Sequence, residues 1–363
     1  MTSMPGANAE DADSTLNALA VFPGLNPMAG GIEAAGCEVI RALQSHAMLR
    51  VVNYSRNGLE HPADITPEVQ SSGKLRLLAK LVVRNWSCDT VLFWHINLLQ
   101  LLPLMRVGQA RVVLACHGIE VWRPLPPRIA AMLSRVDHYL HVSEHTWAEM
   151  LKYHPQLSVS SHWLLTHGLG VPVAAPVPPP VDPPTAVILA RMSIAEDYKG
   201  HRELIRAWPL VLQSIPNACL RILGSGDLRP ALETLVHELK LSSHVTLTGR
   251  VSEEQKQQEL VQARCFVMPS RGEGFGLVYL EAMRLGRPCL VSTLDAGREV
   301  VNPPEAGLAV DPQDMPAIAM AIVELLTPGP RWDAWSRAAQ ARYEGHFTAR
   351  HFHTRLRTAL GVT

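Results

Sequence analysis

Short apolar runs alternate with longer stretches of helical periodicity in both halves of the chain, the pattern of parallel sheets covered on both faces by helices. In the first half, strands are predicted at 18–22, 48–53, 90–94, 111–116 and 139–142. The first leads through Pro23-Gly24 and Gly30-Gly31 into a helix over 32–45, and Ser143 is placed to N-cap a helix that starts at Glu144. Over 171–184 the texture changes to a proline-rich run that can form neither a helix nor a central strand, so it reads as an extended connector. Beyond it, strands are predicted at 186–190, 219–223, 245–248, 264–268 and 288–291, with helices over 202–214, 229–239, 276–285, 316–326 and 331–360. The expected organisation is a Rossmann-like domain over 1–170, the linker 171–184, a second Rossmann-like domain over 185–330 and a helical segment 331–363 that crosses back to the first domain. Two such domains face each other across a cleft, and ligands of these sheets bind at the carboxyl ends of the strands.

Composition narrows the function. Of 363 residues 47% are hydrophobic and 18% charged, enough for two buried cores. Lys plus Arg equals Asp plus Glu at 33 each, which argues against a nucleic-acid partner. Cys37, Cys88, Cys116, Cys219, Cys265 and Cys289 are scattered without a C-x-x-C pair, so reduced, buried thiols and a cytoplasmic setting are expected. The acidic stretch at 9–13 is not a basic-then-apolar leader, and no run approaches the roughly eighteen apolar residues of a membrane span.

The chemistry concentrates in 269–286, Pro-Ser-Arg-Gly-Glu-Gly-Phe-Gly-Leu-Val-Tyr-Leu-Glu-Ala-Met-Arg-Leu-Gly. A strand runs into a glycine-rich turn and a helix opens directly after it, presenting free N–H groups and the positive helix end to a phosphate. Gly274 and Gly276 let the backbone approach a ligand. Glu273 sits at the mouth of that turn, where a carboxylate beside a phosphate is awkward unless it binds something else, and sugar hydroxyls are its natural partner. Glu281 lies about one turn inside the helix. Either glutamate alone would read as a cap or a solvent-facing charge; the pair with this glycine pattern favours a site.

The segment resembles the Glu-x7-Glu motif of the retaining GT-B-fold glycosyltransferases of group 1. Further marks fall in the order of that family: Gly30-Gly31-Ile32-Glu33 at the first-domain glycine loop, His117-Gly118-Ile119-Glu120 at the first-domain histidine, Arg191 with Lys199-Gly200 at the diphosphate pair, and Gly224-Ser225-Gly226-Asp227 and Gly249-Arg250-Val251 at turns near the nucleotide. Ala190-Arg191 replaces the frequent Gly-Arg, and Ala296-Gly297 stands where Gly-Gly is common. The resemblance implies an α/β GT-B fold and transfer of a hexose from a nucleotide sugar to an acceptor hydroxyl with retention of configuration, as in bacterial-type exopolysaccharide or lipopolysaccharide assembly. It implies that His117, Glu273, Arg191 and Lys199 act at the reacting centre. It places Gly30, Gly31, Gly224, Gly249, Arg250, Gly274, Phe275, Gly276, Leu277, Val278 and Glu281 around the donor, with Glu281 on the ribose. Taken singly, Gly30-Gly31 is an ordinary strand-to-helix turn, His117 a strand-end histidine, and Arg191 and Lys199 surface charges.

No cofactor is expected beyond the nucleotide-sugar co-substrate, with GDP-mannose and UDP-glucose the leading donors. The sole Asp-x-Asp, Asp11-Ala12-Asp13, lies in the polar N-terminal stretch, so metal-independent transfer is expected, with Arg191 and Lys199 carrying the leaving-group charge. His138, His141 and His145 straddle a strand and the next helix and are not expected to converge on a metal. The competing readings are a non-catalytic nucleotide-sugar-binding module of the same fold, a phosphorylase-like enzyme without an apparent pyridoxal lysine, and an epimerase. The acceptor, a glycan or a lipid-linked glycan, is open. One hint is the basic segment 73–86, read as an amphipathic helix with Arg76, Lys80 and Arg84 on one stripe and Leu75, Leu78 and Val82 opposite. Packing on the sheet is its ordinary role; the sharper reading docks it on an anionic bilayer at the inner face of the membrane.

Overall fold

The structure, a computed structural model, describes residues 16–55, 59–173 and 179–362. The Asp11-Ala12-Asp13 run and the middle of the proline-rich linker lie outside these residues. Two all-parallel sheets form the two domains. The first contains β1 (Leu16–Phe22), β2 (Ala47–Tyr54), β3 (Val69–Ser71), β4 (Thr90–Phe93), β5 (Arg111–Cys116), β6 (His138–His141) and β7 (His162–Leu164) in the order β3-β2-β1-β4-β5-β6-β7. The second contains β8 (Thr185–Leu189), β9 (Cys219–Leu223), β10 (Val245–Gly249), β11 (Cys265–Val267), β12 (Cys289–Ser292) and β13 (Gly307–Val310) in the order β10-β9-β8-β11-β12-β13. In each sheet the order reverses beside the first strand of the domain, at β1/β4 and at β8/β11, which opens a crevice at the strand carboxyl ends. The central strands β4, β11 and β12 are buried throughout, which explains their continuous apolar sequences.

The 331–360 run is two helices rather than one. Pro330–His346 packs Trp335, Ala339 and Tyr343 into the second-domain core, while Ala349–Leu360 packs Phe352, Leu356 and Leu360 into the core of the first domain. The chain crosses between domains at 347–349, alongside the other crossing: Leu169 N–H donates to the Phe347 carbonyl at 3.0 Å and Ala349 N–H to the Gly170 carbonyl at 2.9 Å. His353 Nε2 pairs with Glu38 at 2.8 Å and fastens the returning helix to the first domain. All six cysteines are unpaired and all but Cys219 are buried. Among the described residues no helix is long and apolar enough to cross a membrane.

The basic segment needs correction. Its helix, Lys74–Val82, stops short of Arg84, which pairs with Glu68 at 2.6 Å. Leu77 and Leu81 face the core with Leu78 beside them, whereas Leu75 (82% exposed), Val82 and Val83 (78% exposed) face solvent. The apolar stripe is therefore 77, 78 and 81, rotated from the expected 75, 78 and 82. Both phasings have helical spacing, and only the sheet beneath decides between them.

Candidate active site

The C-terminal ends of both sheets line one cleft of about 900 Å³. From the first domain it receives Gly31 after β1, His95 after β4, His117 after β5 and His167 beyond β7; from the second, Arg191 and Lys199 after β8, Gly224 after β9, Arg250 after β10 and Glu273 through Val278 after β11. Of the expected residues, Gly30, Gly249 and Glu281 do not line the cleft directly. Gly30 N-caps the helix Gly31–Leu43, Gly249 ends β10 with a positive φ of 82°, and Glu281 reaches the cleft wall through Lys256.

The turn after β11 meets the first domain backbone to backbone. A Cβ on Gly274 would lie 1.9 Å from the His117 carbonyl oxygen, so only glycine fits. The Gly274 carbonyl accepts from Ser143 Oγ at 2.7 Å, and Ser143 Oγ in turn accepts from Thr146 N–H at 3.0 Å as the N-cap of the helix Glu144–Tyr153. Glu299 reaches the same helix from the second domain, its two carboxylate oxygens accepting the Glu144 and His145 N–H groups at 2.8 and 2.7 Å. Phe275 packs edge-on against His167, ring centres 5.2 Å apart. Gly276 takes a left-handed φ of 91°, no side chain caps the helix Leu277–Arg284 behind it, and its first residues, Leu277 and Val278, line the cleft.

Lys199 and Glu273 form an ion pair at 2.5 Å, with each side chain 16% exposed. Burial is the largest single influence and works against the Lys199 charge, but Glu273, Tyr198 and Glu196 together outweigh it and hold the ammonium's pKa above its usual value. Arg191 is more exposed and pairs with Glu196 at 2.5 Å on the rim. Glu281 accepts from Lys256 Nζ at 3.0 Å through Oε1, while its Oε2 is buried without a partner among the described residues; burial pushes its carboxyl pKa up against the opposing pull of Lys256.

Across the cleft, His117 Nε2 lies 2.7 Å from the Trp94 carbonyl. A carbonyl only accepts, so Nε2 carries the proton. Burial lowers the imidazole pKa to about 4, against the raising effect of that bond, so the ring is neutral near pH 7 and Nδ1 is a bare acceptor. Nδ1 is buried with no partner among the described residues. His167 stacks on His117 at 5.7 Å, and burial drives its pKa well below the usual value. His167 and Lys256 gave no sequence signal: the first sits in a loop, the second on a helix, Glu253–Gln262, whose polar sequence lacks an apolar stripe. His141 stacks on Trp147 at 5.3 Å, and Trp147 on His162 at 4.6 Å; among the described residues no histidine, cysteine and carboxylate group could hold a metal ion.

Two doubly wound domains closing on a cleft with a glycine-rich, helix-opening turn define the GT-B glycosyltransferase architecture. Residues 183–328 match the family model described as Glycosyl transferases group 1. The chain is 28% identical over 292 residues to the GDP-mannose-dependent monoacylated alpha-(1-6)-phosphatidylinositol monomannoside mannosyltransferase of Corynebacterium glutamicum, covering 74% of each chain. It is 29% identical over 283 residues to the GDP-mannose-dependent alpha-(1-6)-phosphatidylinositol monomannoside mannosyltransferase of Mycobacterium tuberculosis, covering 71% of this chain and 72% of that one. Among solved structures, sucrose-phosphate synthase from Thermosynechococcus elongatus superimposes with a TM-score of 0.77 at 21% identity, over 95% of this chain and 98% of its own. Together these show the GT-B fold and make residues 183–328 similar to the group 1 glycosyltransferases.

Proposed function

We propose that the chain transfers a hexose from a nucleotide sugar, GDP-mannose first and UDP-glucose second, to a hydroxyl of a lipid-linked glycan, with retention of configuration and without a metal ion. One observation carries this reading: among the described residues His117 Nδ1, on the cleft, and Glu281 Oε2, behind Lys256 of the cleft wall, are buried acceptors without donors, one in each domain. A buried acceptor left unpaired costs about 1–3 kcal/mol, so each calls for a hydroxyl donor from a ligand. A nucleotide sugar supplies hydroxyls at both ends, the hexose toward His117 and the ribose toward Glu281. Its diphosphate lies between, facing the helix Leu277–Arg284, Lys199 and Arg191. When the diphosphate arrives Lys199 turns from Glu273 toward it, and Glu273 is freed for sugar hydroxyls. The departing diphosphate gains negative charge against preorganised cations and N–H groups, which is the stabilisation the step needs. Binding of a nucleotide sugar raises the melting temperature by linkage, so a thermal-shift screen tests the donor: the largest shift is expected with GDP-mannose, and turnover with it is unchanged in excess EDTA. No shift with any nucleotide sugar would sink the reading, and turnover restored after EDTA only by magnesium or manganese would remove the metal-free step.

The acceptor side favours a bilayer. Leu75, between the exposed Lys74 and Arg76 on the helix Lys74–Val82, and Val83, just past its C-terminal end, are largely exposed. Apolar insertion next to cations is the chemistry of an anionic interface, and the acceptors named for the two mannosyltransferase relatives are phosphatidylinositol mannosides. Binding to anionic vesicles is expected to weaken with salt and to drop further in a Leu75→Ser, Arg76→Gln, Val83→Ser variant. Equal binding to neutral and anionic vesicles, unaffected by those changes, would remove the membrane.

A further inference from the structure

Behind Glu273 lies a carboxylate that carries no role in the reading above. After β12 the chain turns through Asp295 and Ala296 into the short helix Gly297–Val301. Asp295 is fully buried, where an ionised carboxylate is costly unless its oxygens are satisfied. Both are satisfied by backbone: Oδ2 accepts the Glu273 N–H at 3.0 Å and Oδ1 accepts the Gly297 N–H at 3.0 Å. The adjacent Ala296 N–H donates to the Glu273 carbonyl at 3.1 Å. The 295–297 strap thus holds Glu273 from both sides of its residue, at the position where the side chain must meet the sugar.

Among the described residues three ionisable groups act on Asp295: Glu273 from the turn, Lys199 from the loop after β8 and Tyr279 from the helix Leu277–Arg284. The one cation among them, Lys199, is already paired with Glu273, and the Tyr279 hydroxyl donates to the Met268 carbonyl at 2.9 Å. No neighbouring cation is therefore dedicated to Asp295, and two backbone N–H groups carry its charge.

We propose that Asp295 is a positioning residue for glycosyl transfer: as a carboxylate it fixes the Glu273 turn by accepting the Glu273 and Gly297 N–H groups on separate oxygens, and loss of its charge releases the turn. A carboxylic acid or an amide presents only one good acceptor oxygen, so neutralising the group breaks one of the two bonds. Burial, with Glu273 beside it, raises the Asp295 pKa to about 7, against the lowering effect of the two N–H bonds. Between the ordinary aspartate value and about 7, the folded chain holds a proton that the unfolded chain has released, so this group's contribution to stability falls as pH rises through that window. The turn becomes organised near the top of the same window. Turnover and stability therefore respond to Asp295 in opposite directions, which no purely structural carboxylate would do.

The inference rests on the reading that Glu273 contacts the donor sugar, and its test separates the two. Nucleotide-sugar turnover and melting temperature are measured on the parent, Asp295→Asn and Asp295→Ala from about pH 5.5 to about pH 8.5, the range that brackets the titration. The parent kcat is expected to rise on the order of tenfold across this range. Both variants should lose that rise and run ten- to a hundredfold below the parent at the alkaline end, the cost of a misplacement of about 1 Å, with a smaller change in donor KM. The melting temperature of the parent relative to Asp295→Asn should fall as pH rises. Variants with the parent's kcat and pH profile would overturn the proposal, as would a loss of equal size at every pH. If the variants do not fold, the parent decides alone, and a flat kcat across the range overturns it. A parent that turns over no nucleotide sugar at any pH sinks the transferase reading instead, and the melting-temperature difference still tests Asp295: a constant difference refutes it.

Discussion

Glu273→Gln is expected to lower kcat with the nucleotide sugar on the order of a hundredfold without weakening nucleoside diphosphate binding, whereas Glu281→Gln raises donor KM and leaves kcat nearly unchanged. In the proposed reading Glu273 meets the sugar whose anomeric carbon reacts, where a displacement of about 1 Å costs on the order of a hundredfold. Its substitution also strips Lys199 of its partner at 2.5 Å. A buried charge that loses its partner costs about 3–5 kcal/mol, so the free variant is less stable. Lys199 then has only the incoming diphosphate to pair with, and diphosphate affinity holds or tightens. In the same reading Glu281 offers Oε2, without a partner among the described residues, to the ribose, a contact made equally before and during transfer. Losing such uniform binding raises KM rather than lowering kcat. Calorimetry with nucleoside diphosphate and steady-state kinetics on both variants check the pair. Weaker diphosphate binding in Glu273→Gln beside an unchanged Glu281→Gln would reverse the assignment, and parental turnover in both would remove the site.

Much of this arrangement was legible because parallel strands buried on both faces write themselves as uninterrupted apolar runs. Strands β5 and β9 coincide with the predicted 111–116 and 219–223, and Ser143 caps the helix it was expected to cap. The edge strands β3 and β7 escaped because each has three residues and β7 leaves His162 and Trp163 exposed, so neither carries an apolar run. The break in 331–360 carries only weak local signals, Gly345 before it and the N-cap residue Thr348. Phe347 and Thr348 are neither glycine nor proline; the helix ends because Phe347 is drawn into the second-domain core while Phe352 belongs to the first.

The chemistry divides in the same way. Charges that lie beyond a strand and beside a glycine, such as Lys199 and Glu273, could be placed from order along the chain. Partnerships could not: Lys199 lies 74 positions from Glu273, Glu281 is held by Lys256 from a different helix, and Asp295 serves Glu273 through backbone N–H groups that no side-chain pattern records. In the sequence Ala296-Gly297 stands out only as a departure from Gly-Gly, yet the Ala296 N–H is one of the groups that hold the Glu273 turn.

Gly274→Ala is expected to cost at least as much activity as Glu273→Gln, though it removes no functional group. Gly274 is not among the glycines with positive φ, so an alanine there suits its own backbone. The obstacle is the other domain. The added Cβ would stand 1.9 Å from the His117 carbonyl oxygen and 2.8 Å from Gly118 Cα, and neither can swing away as a side-chain tip could. Either the turn retreats or the domains part. Both outcomes lengthen the Ser143 bond to the Gly274 carbonyl, now 2.7 Å, and pull Glu299 off the helix Glu144–Tyr153. They also separate His117 from Glu273, so one end of the donor loses its contacts while the second-domain wall stays whole. A drop in kcat/KM on the order of a hundredfold or more is expected. Nucleoside diphosphate affinity should change little, and so should the melting temperature, because none of the three apolar cores is touched. Gly73→Ala, where a Cβ meets nothing within 4 Å, serves as the control and should behave as the parent. Small-angle scattering should find Gly274→Ala more extended than the parent in the presence of donor. A variant as compact and as active as the parent would mean that the contact between Gly274 and His117 is not part of the working state.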